Sequence, residues 1–421
     1  MVEEHKVLKD INFLRARYQE YVNKGLNLDM TRGKPCPEQL DLSANMLTNI
    51  TNDDLLYYPY DFRNYTTPAL LSGLPECKTL FSEILDIPSD NIIIGGNSSL
   101  NLMYDTIVRA LLHRLPGANQ SWSEGGKIKF LCPVPGYDRH FNICESLDIE
   151  MINIPMDNDG PDINLIESLV KKDPQIKGIW CVPKYSNPTG ITYSDHVIER
   201  LANMDTAASD FRIFWDNAYV VHHLSDNEDK LKNIMNELQN NENRNRVFMF
   251  VSTSKITHAG GGISALITSD ANKEWFLSEM KNQTIGFDKI NQLRHVKFFD
   301  SLGGVVSLMD SHKAILSPKF NEVDSVLSHE LGLDGIYATW TKPNGGYFVS
   351  FDSKPGCATK IVEMSAKAGV KLTKAGATFP YGVDPSDSNI RIAPSLPSVY
   401  EIKQAMQVLA IVTKIVTFES K

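Results

Sequence analysis

Cysteine is sparse, and the cysteines that exist stand alone. Six (Cys36, Cys77, Cys132, Cys144, Cys181, Cys357) are spread through 421 residues with no C-x-x-C pair and no spacing suited to zinc. That excludes a disulfide framework and a zinc ribbon, and predicts buried small hydrophobes in a reducing compartment. A basic stripe is also missing: 42 Lys+Arg against 51 Asp+Glu give a net charge of −9, which argues against a nucleic-acid partner. No apolar run reaches membrane-spanning length, so no membrane partner is expected. The first residues carry Glu3, Glu4, Lys6 and Asp10 without an apolar h-region, so no signal peptide is expected and cytoplasm is the default location. Neither G-x-x-x-x-G-K-[ST] nor G-x-G-x-x-G occurs, which leaves a nucleotide site without support. Internal repeats, low-complexity segments and flexible linkers are absent too.

What is present is ordinary in bulk and unusual in one stretch. A chain of this length with 42% hydrophobic and 22% charged residues buries a large core and is expected to split into two domains. The boundaries predicted are 1–50 with 310–421 for a smaller α+β unit, and 51–309 for a larger one. The unusual stretch is Val247-Phe-Met-Phe-Val-Ser-Thr-Ser-Lys255, followed by Ile256-Thr-His-Ala-Gly-Gly-Gly262. It opens as a fully buried strand, then delivers a single lysine at the strand end. Desolvation there lowers a lysine pKa and makes the amine a nucleophile able to form a Schiff base. A strand-end lysine more often just snorkels to solvent, and only the rest of the chain decides between the two.

Val7, Ile11, Leu14, Tyr18 and Tyr21 recur at helical spacing and predict an opening helix. Asp29-Met-Thr-Arg-Gly-Lys-Pro35 breaks it, and Arg32 and Gly33 form either a plain turn or a substrate-facing loop. The loop Tyr57-Tyr-Pro-Tyr-Asp-Phe-Arg-Asn-Tyr65 is rich in rings, as an interface or a pocket wall would be. Asn91-Ile-Ile-Ile-Gly-Gly-Asn-Ser-Ser99 runs into Leu100, Met103, Ile107 and Leu111, which reads as strand, glycine turn and helix. Asn97, Ser98 or Ser99 would cap that helix, and the same N-terminus is a potential anion seat.

Strand-like runs at Lys127–Cys132, Lys177–Val182, Phe211–Trp215, Val247–Ser252 and Ile263–Thr268 alternate with helical or turn-rich segments. The alternation predicts an α/β fold with a mainly parallel sheet between helices, whose ligand lies beyond the carboxyl ends of the strands. Pro135-Gly-Tyr137, Asn187-Pro-Thr-Gly190, Asp216-Asn-Ala-Tyr219 and Lys255 all fall at that edge. Segment His223–Arg246 is polar and reads as a surface excursion without chemistry. Past Met309, strands are predicted in Asn344–Phe351 and Asn389–Ser395, and Ser398-Val-Tyr-Glu401 is a capping-box pattern opening the last helix.

Asn-Pro-Thr-Gly, Asp-x-x-Tyr and Ser-x-x-Lys in this order resemble the fold-type-I pyridoxal-phosphate aminotransferases of class I. The phrases T-R-G-K-P, G-G-N-S-S-L and Asn-Gln-Leu-Arg-His-Val-Lys are most similar to the subgroup Ic aspartate aminotransferases, and the resemblance covers nearly the whole chain. It implies a seven-stranded, mainly parallel sheet, pyridoxal 5'-phosphate as cofactor, and amino acid and 2-oxo acid substrates, most simply L-aspartate and 2-oxoglutarate. By the same resemblance Lys255 carries the cofactor and shuttles the substrate proton. Asp216 faces the pyridine nitrogen, Asn187 and Tyr219 donate to the phenolic oxygen, and Tyr137 covers the ring. Ser252, Asn97, Ser98 and Ser99 hold the phosphate. Arg391, with Gly33 and Asn187 beside it, takes the substrate α-carboxylate in a two-pronged contact.

One departure from the family stands out. The phosphate-pairing arginine about eight residues after the lysine is missing, its place falling on Gly262 or Ile263. Lys289, Arg294 and Lys297 are candidate replacements. The resemblance implies that this run and the Tyr65 loop come from a second subunit, hence a homodimer with shared active sites. Arg32 and Lys289 are both candidates for a distal substrate carboxylate. Rival functions keep the cofactor but change the donor (aromatic, alanine or kynurenine type) or the reaction (β-lyase, decarboxylase). Others make the chain a non-catalytic regulatory module or a cofactor-independent Schiff-base enzyme of aldolase type.

Overall fold

The computed structural model describes every residue except 1, 58, 66, 67, 239–241 and 421, and for 2–10 and 57 the backbone alone. The expected side-chain positions of Val7 and Tyr58 thus lie outside the described residues.

Eight strands build the large sheet: β1 (Ile92–Ile94), β2 (Lys129–Val134), β3 (Glu150–Asp157), β4 (Gly160–Pro161), β5 (Ile176–Cys181), β6 (Arg212–Asp216), β7 (Val247–Ser252) and β8 (Ser264–Thr268). Their order is β1-β8-β7-β6-β5-β2-β3-β4. Strands β7, β6, β5, β2 and β3 pair in parallel. β8 runs antiparallel between β7 and β1, so β1 shares the common direction. The expected seven-stranded sheet is this one, with the two-residue β4 added beyond β3.

Every residue of β5 and β6 is buried, as is β7 up to Val251, because both faces of the sheet are covered. Alternation along the strands sorts side chains between two cores. Phe130, Trp180, Phe214, Phe248 and Phe250 point to one face, and Leu131, Ile179, Ile213, Val247 and Met249 to the other. All six cysteines are free and buried, as expected of small hydrophobes.

In the large sheet the strand boundaries expected from sequence shift by at most two residues, since the apolar run and the hydrogen-bonded ladder need not coincide; beyond it, the strand expected in Asn344–Phe351 spans Val349–Ser353 and the one in Asn389–Ser395 ends at Ile392. Strand β3 was not anticipated. Its burial alternates irregularly, and Pro155 interrupts its pattern near the sheet edge. Helix α1 (Ser99–Leu112) is capped by Ser98, whose hydroxyl accepts from the Leu100 amide at 3.3 Å. Helix α2 (Asp138–Ser146) follows β2 with Tyr137 as its N-cap residue. Helix α3 (Lys289–Phe299) leads into the 30-residue α4 (Leu302–Leu331).

Another hydrophobic core gathers Leu14, Tyr21, Leu28 and Met30 with residues from Leu316 to Val416, joined by Val182, Tyr185, Tyr219 and Leu224. It packs the N-terminal helix Val2–Asn23, the rest of α4 and the last helix α5 (Val399–Glu419) around strands β9 (Ala338–Trp340), β10 (Val349–Ser353) and β11 (Asn389–Ile392). The expected change near Met309 therefore falls inside α4. Val305, Leu308 and Met309 pack with Leu80, Ile256 and Phe299, whereas Leu316 onward joins the other core. The capping box at Ser398 and Glu401 is formed as the sequence predicts.

Candidate active site

β6 and β7 lie side by side, with Phe250 opposite Asp216, so their carboxyl ends bring Asp216 and the turn after Ser252 together. Asp216 is 3% exposed. Its Oδ2 lies 3.0 Å from His140 Nε2, while Oδ1 is buried with no partner among the described residues. Lys255 stands three residues past β7, its Nζ 4.7 Å from the centre of the Tyr219 ring. Burial lowers the Lys255 pKa, and the charge of Asp216 only partly offsets this. The Tyr219 hydroxyl is pushed well above its usual range, mainly by burial. Tyr137 rises to about 12 for the same reason, helped by the charges of Asp216 and Asp138.

A cleft of about 500 Å³ has Lys255, Tyr219, Asn187, Tyr137 and Arg391 among its lining residues. Arg391, on β11, is 7% exposed; its Nη1 donates to Asp138 Oδ1 at 2.7 Å and to Asn187 Oδ1 at 3.4 Å. The guanidinium lies over the Phe348 ring at 4.9 Å. Gly33 touches that ring closely: a Cβ there would come within 2.4 Å of Phe348 Cζ. The residues at 32–33 are therefore part of the cleft and not a bystander turn. Arg32, Lys34, Arg139 and Lys374 also line it, all four of them exposed.

The segment Asn97–Ser99 is tied to the lysine turn. Ser254 Oγ donates to the Asn97 carbonyl at 3.1 Å, and Asn97 Nδ2 to the Gly260 carbonyl at 3.3 Å. Helix α3 underpins the same turn. Asn291 Nδ2 donates to the carbonyls of Gly261 and Gly262, both at 3.0 Å, and His295 Nε2 lies 3.1 Å from the hydroxyls of Thr253 and Thr257. Ser252 ends β7 and Ser98 and Ser99 begin α1, all half-buried.

Tyr65 and Lys289 are not brought to this cleft of their own chain. They line a second one of about 320 Å³ with Arg63 and Phe287. Tyr65 is 82% exposed and Lys289 only 3%, its Nζ donating to the Phe287 carbonyl at 2.9 Å. Burial lowers the Lys289 pKa to about 8. Lys297 is engaged by Asp54 at 2.6 Å, and the Arg294 Nε is buried without a partner.

Sequence reasoning passed over four contributors. His140 lies one helical turn past Tyr137, its ring stacked on Trp180 at 4.2 Å with 4° between planes. Asp138 and Phe348 frame Arg391. Behind Lys255, Tyr347 donates to the Lys255 carbonyl at 3.2 Å and accepts from Gln39 at 2.9 Å. For Asp138 and His140 the available signal was position: residues on the first turn of a helix that follows a site strand face the same edge.

An aspartate transaminase from Corynebacterium glutamicum shares this architecture, with a TM-score of 0.95 and 41% identity covering 99% of this chain and 97% of that one. The fold is that of an aminotransferase, an enzyme of the transferase class. A family profile described as aspartate amino-transferase matches residues 4–421, and the chain belongs to that family. It is 48% identical over 400 residues to a putative aminotransferase from Mycolicibacterium smegmatis, spanning 94% of this chain and 92% of that protein. An aspartate aminotransferase from Corynebacterium glutamicum is 42% identical over 398 residues, spanning 94% and 91%.

Proposed function

We propose that the enzyme exchanges the amino group between L-aspartate and 2-oxoglutarate with pyridoxal 5'-phosphate as its cofactor. The observation that carries this is the single cleft in which a desolvated amine, Lys255, and a buried guanidinium, Arg391, line the same space. The residues fit the cofactor: Asp216 Oδ1 is a buried carboxylate oxygen with no partner among the described residues, as a protonated pyridine nitrogen requires. When bound, the cofactor supplies an electron sink for the carbon that loses its proton. Asp216 would hold the proton on the ring nitrogen, with His140 fixing its other oxygen. Asn187 and Tyr219 would donate to the phenolic oxygen, and Tyr137 would cover the ring. Ser252, Asn97, Ser98 and Ser99 would receive the phosphate at the start of α1. Lys255 would hold the cofactor through its aldehyde carbon, with loss of water, and, freed when the substrate amine takes its place, would act as general base and then acid for the substrate proton.

Arg391 would clamp the α-carboxylate. A dicarboxylic donor is supported by the mouth of the cleft, where Arg32, Lys34, Arg139 and Lys374 outnumber the one lining carboxylate, Asp138. Arg32 is the own-chain candidate for the distal group. We place the enzyme in the cytoplasm; among the described residues no helix is long and apolar enough to cross a membrane. We propose a homodimer in which Tyr65 and Lys289 of each copy complete the partner's phosphate site. Their shared cleft, apart from Lys255, supports that arrangement. The division at residues 50 and 309 belongs to the same proposal, supported by the core that joins Leu14–Met30 to the C-terminal third, with Val182, Tyr185, Tyr219 and Leu224 as its contacts from the larger unit. The test is a panel of amino donors in single half-reactions, read by cofactor absorbance. L-Aspartate and L-glutamate should react fastest, and a preference for aromatic donors would overturn the assignment.

A further inference from the structure

Arg391 already holds a carboxylate of its own chain. Asp138 Oδ1 sits 2.7 Å from Nη1, and Asn187 Oδ1 takes the same nitrogen at 3.4 Å. Arg391 has little freedom to leave, being 7% exposed and laid against the Phe348 ring at 4.9 Å. Its Nε is buried without a partner. Asp138 is the more exposed member of the pair. It is the first residue of α2, where the helix dipole favours a carboxylate, and 31% of its side chain is exposed. Released from Arg391, it keeps both solvent and the helix end.

A two-pronged grip on an incoming carboxylate needs two parallel N–H groups of the guanidinium, and two carboxylates crowded on one nitrogen repel each other. We propose that Asp138 is a built-in competitor for the substrate carboxylate, a residue that sets the affinity of the cleft by occupying Arg391 Nη1 and giving way when substrate binds. The inference rests on the assignment of Arg391 as carboxylate receiver. Between substrates the device spares a buried guanidinium from lacking a counter-charge, which is costly in a cleft of this depth. During binding it weakens every carboxylate by the same factor, because it acts where all of them dock.

Asp138→Asn keeps an oxygen acceptor for Arg391 and removes the charge. Calorimetric titration of the holoenzyme with maleate, an unreactive dicarboxylate, reads the effect directly. The variant should bind maleate about tenfold tighter, as expected if Asp138 leaves the site open only about a tenth of the time. Acetate should gain by the same factor, and the gain with L-aspartate should appear in KM and not in kcat. Asp138→Ser, shorter and uncharged, should behave alike and covers the case of a poorly folded Asn variant. Unchanged or weakened maleate binding in both variants overturns the proposal, the weakened case making Asp138 a positioning residue for Arg391. Arg391→Gln separates the two layers. If it still binds maleate normally, the assignment of Arg391 fails and this inference falls with it. If it loses maleate while the Asp138 variants are unchanged, only the inference falls.

Discussion

His140 grips one oxygen of Asp216 at 3.0 Å and leaves the other oxygen buried with no partner among the described residues. The imidazole is itself immobilised, lying flat on Trp180 and edge-on to Tyr137. A carboxylate held this way is preorganised for one further positive partner. Asp216→Ala should therefore cut kcat by at least about 100-fold, the usual cost of deleting a preorganised charge at a reacting centre. Cofactor affinity should fall much less, since the charge matters most as the carbanion develops. Equal and modest losses in both, measured by steady-state kinetics and cofactor titration, would reduce Asp216 to a buried structural partner of His140.

Lys255 is the most exposed of the assignments to a direct chemical test. The purified protein should be yellow, and borohydride should fix the cofactor to Lys255, located by peptide mass. Lys255→Ala should lose transamination by about 1,000-fold or more while still taking up cofactor non-covalently. Trapping at another lysine, or full activity in the variant, contradicts the assignment.

The parts of this site that were legible in the sequence are those that sit at strand ends. Buried strands write themselves as apolar runs, so a residue that closes such a run, as Asp216 does, or follows it within a turn, as Lys255 does, declares its own position at the sheet edge. His140 and Asp138 lie on a helix beside the site, and their role depends on which face of that helix the cleft selects. No period in the local sequence reports that face. Strand β3 was invisible because Pro155 and exposed positions break its pattern near the sheet edge. For Lys289 the sequence offered a candidate cation but not its burial: the fold turns its ammonium inward onto the Phe287 carbonyl.

Gly33 supports Arg391 at one remove. The ring of Phe348 fills the space where a Cβ on residue 33 would go, and the guanidinium rests on that ring. Gly33→Ala must push the ring, and with it the arginine. A displacement of this kind should raise KM for L-aspartate by about 10- to 100-fold. The cofactor spectrum should not change. An unaltered KM would show that Phe348 yields without moving Arg391.

Acid should loosen the turn that carries Lys255. Burial pushes His295 down to about 4, and His312 likewise to about 4. His295 Nδ1 donates to the Asn291 carbonyl at 2.8 Å, which leaves Nε2 to accept from the hydroxyls of Thr253 and Thr257. The neutral ring is thus the folded form, and the unfolded chain binds the proton more readily. The stability this contributes is complete above the unfolded pKa of about 6.5 and is lost as pH falls through 6.5 towards 4. A gap of about 2.5 units corresponds to about 3 kcal/mol per histidine at most. Urea midpoints should drop between about pH 7 and pH 5, and His295→Gln, which retains an acceptor for the threonines, should flatten the slope. Identical slopes in variant and parent would remove His295 from the account.

The phosphate counter-charge is the hardest point to place, because Ser252 and the start of α1 offer hydrogen bonds but no full positive charge. A phosphate dianion in a half-buried cleft without a cation would cost several kcal/mol. Lys289 shares a cleft with the exposed Tyr65, and its depressed pKa of about 8 reflects burial with a single carbonyl partner at the ammonium. A partner copy's phosphate entering that cleft would relieve this and restore full charge. Lys289→Met should then shed cofactor faster on dilution while Lys255 still accepts it, so that cofactor retention tracks the dimer. If Lys289 instead grips the distal carboxylate, retention should be normal and KM should rise for L-aspartate but not for L-alanine. Unchanged retention together with unchanged KM for both donors would dismiss both roles, leaving Lys289 as a buried lysine satisfied by the Phe287 carbonyl.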